Sequence, residues 1–367
     1  MSAQRPIAFY LASLRGGGAE RVILNLTQGI TERGFPVDLV LSTAKGAFLE
    51  QLPKAVRLVD LGAPRLARSI LPLARYLRRE RPRVLVSSIS HANLAALWAA
   101  RLAGGSTPVV VTVHNTLSRS TEQQGRLARR VWPQLVRTFY PWAASVVAVS
   151  RGAADDLART SGVPRDRVRV VYNPVITPGM LALARQSPGH PWFAPGQPPV
   201  ILGVGRLTPQ KDFPTLIRAF AQVRHRHVAR LIILGEGGER PALEALVSQL
   251  GLTDDVELPG FRENALAFMA GSAVFVLSSA WEGLPTVLIE ALAAGTQVVA
   301  TDCPSGPREI LQDGRLGALV PVGDPAALAQ AIIDALDQPA CPVPQDALAP
   351  YTRDAAVDQY LRLIETT

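Results

Sequence analysis

The stretch "AVFVLSSAWEGLPTVLIEALAAGTQVVATD" (273–302) decides how the chain is read. A β-branched apolar run is followed by a loop with Gly283 and Pro285, an apolar helical pattern, and a second β-branched run. Neither run alternates with polar residues, so both faces of each strand are buried, as in a parallel sheet covered by helices. Pro285 suits the first helical position and Gly295 the C-terminal cap. The helix therefore begins where a strand ends. Its first amides, near Thr286 and Val287, lack partners within the helix and suit an anion. Two acids stand out in this apolar setting, Glu282 in the loop and Glu290 in the helix. Carboxylates so placed accept hydrogen bonds from paired hydroxyls. The other reading is an acid complementing the helix dipole beside an unrelated surface glutamate.

The same alternation extends in both directions. Strands are expected at 7–13, 36–42, 56–61, 83–88, 108–114, 145–150 and 168–173, with helical stretches such as 19–33, 69–80 and 92–103 between them. A second series follows at 200–205, 230–235, 255–260, 273–279, 297–302 and 317–322. Between the two lies "TPGMLALARQSPGHPWFAPGQPP" (177–199), rich in Pro and Gly and without clear periodicity. The expectation is α/β with two doubly wound domains: 1–178, a linker over 179–194, and 195–349. The amphipathic segment within 350–367 is expected to pack back on the first domain. Sheets of this kind bind ligands at the C-terminal ends of their strands.

Composition narrows the classes. With 367 residues, two domains are the first expectation. No apolar run reaches the roughly 18 residues of a membrane-spanning helix, and "MSAQRPIAFYLASLRGG" reads as a first strand rather than a signal peptide. Cys303 and Cys341 show no metal-ligand spacing, and two cysteines do not make a disulfide scaffold. A reducing cytoplasm is the expected compartment. Charge is uneven: residues 1–185 balance at +16 and the remainder at −8. An acidic or phosphate-rich partner for the first half is expected; Arg-rich composition alone is the alternative.

"GVGRLTPQKDFPTLIRAF" (203–220) places Arg206 directly after an apolar strand and Lys211 five residues on. Two cations at a strand's C-terminal edge can hold a diphosphate and stabilise it as it leaves; a solvated loop is the alternative. Together with "GEG" (235–237), "RGGGAERVILNLTQGI" (15–30), "VTVHNT" (111–116), "AVSRGAADDL" (148–157), "VYNPV" (171–175) and the Glu282-x7-Glu290 pattern, the chain resembles the retaining GT-B glycosyltransferases of glycosyltransferase family 4. The resemblance runs over essentially the whole chain, with the motifs in order.

The resemblance implies a GT-B fold and assigns roles. Arg206 and Lys211 would bind the donor diphosphate, Glu290 the ribose hydroxyls, and Glu282 the donor sugar. The backbone of Gly283, Leu284, Pro285, Thr286 and Val287 would lie near the sugar and phosphates, with Gly235 beside them. Phe261 and Arg262 would flank the base. Gly17 and Gly18 would let the first domain's backbone approach the phosphates, since glycine lacks a Cβ. His114 would lie beside the reacting carbon; taken alone, it reads more readily as a structural hydrogen-bonding group. No Asp-x-Asp is present to hold a divalent ion, so the expectation is a metal-independent enzyme needing no cofactor beyond its nucleotide-sugar substrate, with cations and helix amides meeting the diphosphate.

"TDCPSGPREIL" (301–311) resembles members that add hexoses or N-acetylhexosamines to polyprenyl-diphosphate glycans of lipopolysaccharide and capsule. A UDP-sugar donor and a glycan or polyprenyl-diphosphate-linked acceptor are therefore expected. "RLARRVWPQLVRTFYPWAA" (126–144) interleaves Arg with Trp, Phe and Tyr, which suits an anionic membrane surface. The expected location is cytoplasmic, peripheral on the inner face of the plasma membrane. The alternative packs that helix through Leu127, Val131, Leu135 and Phe139 with its arginines solvated. A nucleotide-sugar epimerase of the same fold and a catalytically silent transferase-like subunit are the rival functions. Arg240 stands where the third Gly of a dinucleotide fingerprint belongs. No nucleic-acid reading element is visible.

Overall fold

The apolar runs become strands. The computed structural model describes residues 4–14, 17–119, 125–339 and 342–367, with backbone alone for 126–128. In the first half, β1 (Ile7–Leu11), β2 (Val37–Leu41), β3 (Val56–Asp60), β4 (Val84–Ser88), β5 (Val109–Val113), β6 (Ser145–Ala148) and β7 (Val168–Val170) form one sheet in the order β3-β2-β1-β4-β5-β6-β7. In the second half, β8 (Val200–Val204), β9 (Arg230–Leu234), β10 (Val256–Gly260), β11 (Val274–Leu277), β12 (Gln297–Thr301) and β13 (Ala318–Val320) form another, ordered β10-β9-β8-β11-β12-β13. Every pairing is parallel. Strand β5, "VVVTV", is buried at all of its positions, which is why its sequence shows no alternation.

Each sheet is covered by helices on both faces. In the first unit, Leu66–Glu80, Ser90–Leu102, Arg126–Phe139 and Arg151–Ser161 share one core through Leu73, Leu97, Val136 and Leu157. The opposite face is covered by Gly18–Glu32 and by Arg353–Glu365, through Val22, Leu26, Val357 and Tyr360. Those two helices touch closely because residue 29 is glycine: a Cβ there would stand 2.7 Å from Val357 Cγ2. The buried Arg353 guanidinium donates to Glu32 Oε1 at 3.2 Å and Oε2 at 2.5 Å. Apolar side chains buried this way each contribute about 1.5–3 kcal/mol.

The chain divides into two compact units, residues 1–175 with 350–367, and residues 176–349. The Pro/Gly-rich stretch between the strand series is more ordered than its composition suggests. It forms a helix, Met180–Ala184, and a 3-10 turn, Pro191–Phe193, both within the second unit. Asn264 Nδ2 donates to Leu183 O at 3.0 Å, and Phe193 fills the space a Cβ at Gly271 would occupy. Individual side chains anchor this segment, which a search for periodicity does not detect.

In both sheets the chain reverses its direction of travel between two neighbouring strands, β1 and β4 in the first and β8 and β11 in the second. The C-terminal edge at such a reversal is where doubly wound sheets bind ligands.

Candidate active site

The loops after β8 and β11 meet at the reversal point of the second unit. Lys211 ends the 3-10 turn Pro209–Lys211, and its Nζ lies 2.7 Å from Glu282 Oε1. Their side chains are only 16% and 8% exposed. Ser279 Oγ donates to the same Oε1 at 2.8 Å. Glu282 Oε2 has a looser neighbour, Gln210 Nε2 at 3.4 Å, which also donates to Trp281 O at 3.0 Å. One carboxylate oxygen is thus held firmly, and the other keeps lone pairs to offer. Two further bonds join the loops: Ser278 Oγ donates to Lys211 O at 2.7 Å, and Ala280 N to Gln210 O at 2.8 Å. Acids and cations belong to one unit, because β8 and β11 are adjacent strands.

The helix that follows spans Thr286–Ala293. Pro285 is its N-cap, with φ −70° and ψ 98°, and not its first helical residue; the loop holds it extended. Gly295 lies just past the Ala294 cap at φ +81°, a left-handed conformation that suits glycine. Leu288, Ile289, Ala291 and Leu292 face the core, and Thr286, Val287 and Glu290 share the half-exposed side, as their spacing requires. The first amides of the helix point toward the same edge as the Lys211–Glu282 pair.

A third loop, after β12, braces this entry. Ser305 Oγ donates to Gly283 O at 2.7 Å, and Ser305 adopts φ +70°, rare for a residue with a side chain. Gly306 has φ +98°, and a Cβ there would stand 2.4 Å from Pro285 Cδ. The buried Cys303 thiol is pushed up to about 12, first by burial and then by the negative charge of Glu282. It stays protonated and unreactive. Nothing in the sequence announced the brace of Ser305 or the bridge of Gln210.

The remaining donor-side positions are spread along the same edge. Arg206, directly beyond β8, is exposed, and its guanidinium has no partner among the described residues. Gly235 has φ +141°, and a Cβ there would stand 1.9 Å from Gly205 O. Its glycine lets the loops after β8 and β9 pack backbone to backbone. Phe261, 71% exposed, and Arg262 follow β10, the edge strand two places from β8. Two strand spacings put them roughly 10 Å along the sheet from the Lys211 loop.

The first unit carries the other positions. His114 follows β5, and its Nε2 lies 3.0 Å from Thr112 Oγ1. Thr112 Oγ1 also lies 3.0 Å from Ser87 O and 2.8 Å from Ser88 Oγ, and a Thr112 proton given to Ser87 O makes Nε2 of His114 the donor. Nδ1 is left as a buried acceptor without a partner. Burial pushes this imidazole down to about 4, and it is neutral near pH 7. Gly17 caps the helix Gly18–Glu32, and the Glu20 carboxylate folds back onto its N–H, filling the place of a Cβ. The space beside Gly18 is open. Arg15 and Gly16 of this entry loop lie outside the described residues. At the reversal point Ile89 stands at φ +81° and 40% exposed, an outlier for a β-branched residue that no sequence signal marks.

Residues 198–338 match the family described as glycosyl transferases group 1, and residues 16–177 match glycosyltransferase family 4. The chain is 30% identical over 89% of its length, and 88% of the relative's, to the N-acetylgalactosamine-N,N'-diacetylbacillosaminyl-diphospho-undecaprenol 4-alpha-N-acetylgalactosaminyltransferase of Campylobacter jejuni. It is 28% identical, over 95% of its length and 96% of the relative's, to the lipopolysaccharide core biosynthesis glycosyltransferase LpsE of Rhizobium meliloti. Among solved structures it is similar to HepE of Anabaena in complex with UDP and glucose, with a TM-score of 0.80 and 23% identity, covering 99% of this chain and 100% of that one. The apo lipopolysaccharide outer core galactosyltransferase WaaB gives 0.75 and 20%, covering 98% and 99%.

Proposed function

Because the chain belongs to the group 1, family 4 glycosyltransferases and has the GT-B fold, we propose that it moves a hexose or N-acetylhexosamine from a UDP-sugar to a glycan or polyprenyl-diphosphate-linked acceptor. Synthesis of a bacterial surface polysaccharide is the setting that its relatives support, and we place the enzyme on the inner face of the plasma membrane. No helix among the described residues is long and apolar enough to cross a membrane.

The single observation that carries this reading is the Lys211–Glu282 pair beside a helix N-terminus at the reversal point of the second sheet. Lys211, Arg206 and the amides of Thr286 and Val287 meet the charge of the diphosphate, and no metal ion is needed for that task. Glu282 Oε2 accepts from a hydroxyl of the donor sugar, while Oε1 stays with Lys211 and Ser279. Glu290 accepts from the ribose hydroxyls, and Phe261 and Arg262 flank the base. In the first unit, Gly17 and Gly18 bring backbone to the phosphates, and the bare His114 Nδ1 accepts from a sugar hydroxyl.

The acceptor oxygen bonds to the anomeric carbon from the face that the diphosphate leaves, so configuration is retained. The bond from that carbon to the diphosphate oxygen breaks, and its electron pair departs with UDP. A phosphate oxygen of the leaving group takes the acceptor's proton. An activated diphosphate needs no strong general acid, unlike the two-carboxylate chemistry of glycoside hydrolysis.

The test is a thermal-shift panel of UDP-, GDP- and ADP-sugars with and without EDTA. Ligand at 100 times its Kd raises stability by about 2.7 kcal/mol, which shows clearly as a higher Tm. A shift by UDP-sugars, unchanged by EDTA, is expected. A response to GDP- or ADP-sugars alone would replace the donor, and a shift abolished by EDTA would end the metal-free reading.

A further inference from the structure

One helix layer of the first unit has an outer surface that the transfer reaction does not use. Three of its helices, Leu66–Glu80, Ser90–Leu102 and Arg126–Phe139 with the 3-10 turn Tyr140–Trp142, carry nine arginines and one acid, Glu80, and Arg151–Ser161 in the same layer adds two arginines and two acids, Asp155 and Asp156. Glu80 is itself paired with Arg57 at 2.9 Å and Arg79 at 2.8 Å. The helices on the opposite face, Gly18–Glu32 and Arg353–Glu365, carry three basic and five acidic residues. Net positive charge is therefore concentrated on one side of the sheet.

The same layer also bears the exposed apolar groups. Among the described residues of the first unit, every large exposed hydrophobic except Leu58 lies on it or at its start: Leu71, Ile89, Trp98, Leu102 and Val131. Trp98 and Leu102, 40% and 42% exposed, fall on one stripe of their helix with the exposed His91, as residues four and seven apart do. The stripe meets a second row of rings. His91 packs against Trp132 at 4.4 Å between centroids, and Trp98 against Phe139 at 5.4 Å and Trp142 at 5.1 Å. Arg101 lies 4.9 Å above the Trp142 ring. An aromatic ridge thus runs along the layer from Ile89, at the ligand edge of this sheet, with arginines beside it.

We propose that this ridge docks on an anionic lipid bilayer. The proposal rests on the lipid-linked acceptor of the reading above. Tryptophan with arginine and without acid is the composition of a membrane interface, where the rings enter the headgroup boundary and the guanidinium groups meet anionic lipid. The helix expected to make this contact by itself, 126–144, contributes one wall only. It is held to the core by Val136 and Tyr140, and Arg129, Arg130 and Arg137 stay exposed. The side chains of Arg126 and Leu127 lie outside the described residues. Helix Ser90–Leu102 supplies the other wall.

Co-sedimentation with vesicles of phosphatidylcholine and phosphatidylglycerol, against phosphatidylcholine alone, tests both levels. The full chain is expected to prefer the anionic vesicles and to be released at about 0.5 M salt, where screening acts within a few Å. Trp98→Ser and, separately, Leu102→Ser are expected to weaken binding about tenfold, as loss of a buried apolar side chain does, with UDP-sugar thermal shifts unchanged. Leu102→Ser keeps the test open should Trp98→Ser not fold, and quenching of wild-type tryptophan fluorescence by brominated lipid reads ring insertion directly. Wild-type binding that ignores lipid charge would overturn membrane docking altogether. Selective wild-type binding that both variants retain would overturn the ridge and leave a membrane-linked acceptor standing. Concentration-dependent self-association without vesicle binding would assign the ridge to a second copy and overturn the proposal.

Discussion

The two reversal points of this molecule share a topology and differ in how their loops are held. In the second unit, the loops after β8, β11 and β12 are tied by side-chain bonds: Ser278 to Lys211 O, Gln210 to Trp281 O, Ser305 to Gly283 O, all around the Lys211–Glu282 pair. In the first unit, the corresponding edge shows an unpartnered His114 Nδ1, open space beside Gly18 and a strained Ile89. A site that binds one fixed ligand gains from groups set in place beforehand, since no ordering cost falls at the moment of binding. The first edge has side-chain ties of its own, Ser118 to Asp156 and Asn25 to Pro174 O, yet it keeps the Nδ1 of His114 unspent. That contrast is what a donor edge and an acceptor edge would show.

The largest effect should come from cutting the knot of the tied edge. Lys211→Ala is expected to lower turnover by about 10²–10³-fold, and also to destabilise the fold by about 3–5 kcal/mol, because Glu282 is left buried and unpaired. Lys211→Ala with Glu282→Gln should regain much of the stability, read by urea unfolding, without regaining turnover. Near-normal turnover in the single variant would remove the role of Lys211. Next, Glu290→Ala is expected to weaken UDP-sugar binding about 10-fold by calorimetry, the size of a hydrogen bond to a charged group, with a smaller change in kcat. A kcat effect larger than the binding effect would shift Glu290 from the ribose to the reacting sugar.

Ser305→Ala should raise KM several-fold, the worth of a neutral hydrogen bond of about 1 kcal/mol, with Tm nearly unchanged. An equal fall in Tm would make the brace merely structural. At the looser edge, His114 provides a pH test. The folded protein lowers this imidazole from its ordinary 6.5 to about 4, so the unfolded chain binds the proton more readily in between. Its contribution to stability is whole above the unfolded value and is lost as pH falls toward the folded one. Unfolding free energies measured at several pH values should fall less steeply across that window in His114→Phe than in the wild type. The smallest effect concerns Ile89, where Ile89→Gly should be about 1 kcal/mol more stable than Ile89→Ala, since only glycine tolerates that backbone freely. Equal stability would mean that the edge is unstrained.

Much of this architecture is legible in the sequence for one physical reason. Strands buried on both faces must be apolar without a break, so runs such as "VILGV" and "VVVTV" announce themselves. Glu282 and Glu290 stand out because they interrupt that apolar background, and Lys211 because it follows a strand. Their pairing is not legible: Lys211 and Glu282 are 71 positions apart, and only the order β8-β11 brings them together. Gly235 reads as a ligand-facing glycine, yet its missing Cβ makes room for Gly205 O. Ser305 and Ile89 adopt glycine-like backbone without being glycine, so composition hides them. The segment 126–144, expected from sequence to meet a membrane by itself, illustrates the same limit, since half of the aromatic ridge comes from a different segment, whose stripe of His91, Trp98 and Leu102 looks ordinary when read alone.

The helix Arg353–Glu365 completes the first core, although 174 residues of the second unit precede it in the chain. During synthesis, the inner unit emerges whole before the outer one can close. Its sheet can fold on the ribosome while the face that awaits Val357, Tyr360 and Leu363 remains uncovered, in need of a chaperone or of speed. A stop codon shortly after residue 349 would therefore injure the earlier-made lobe and spare the later one.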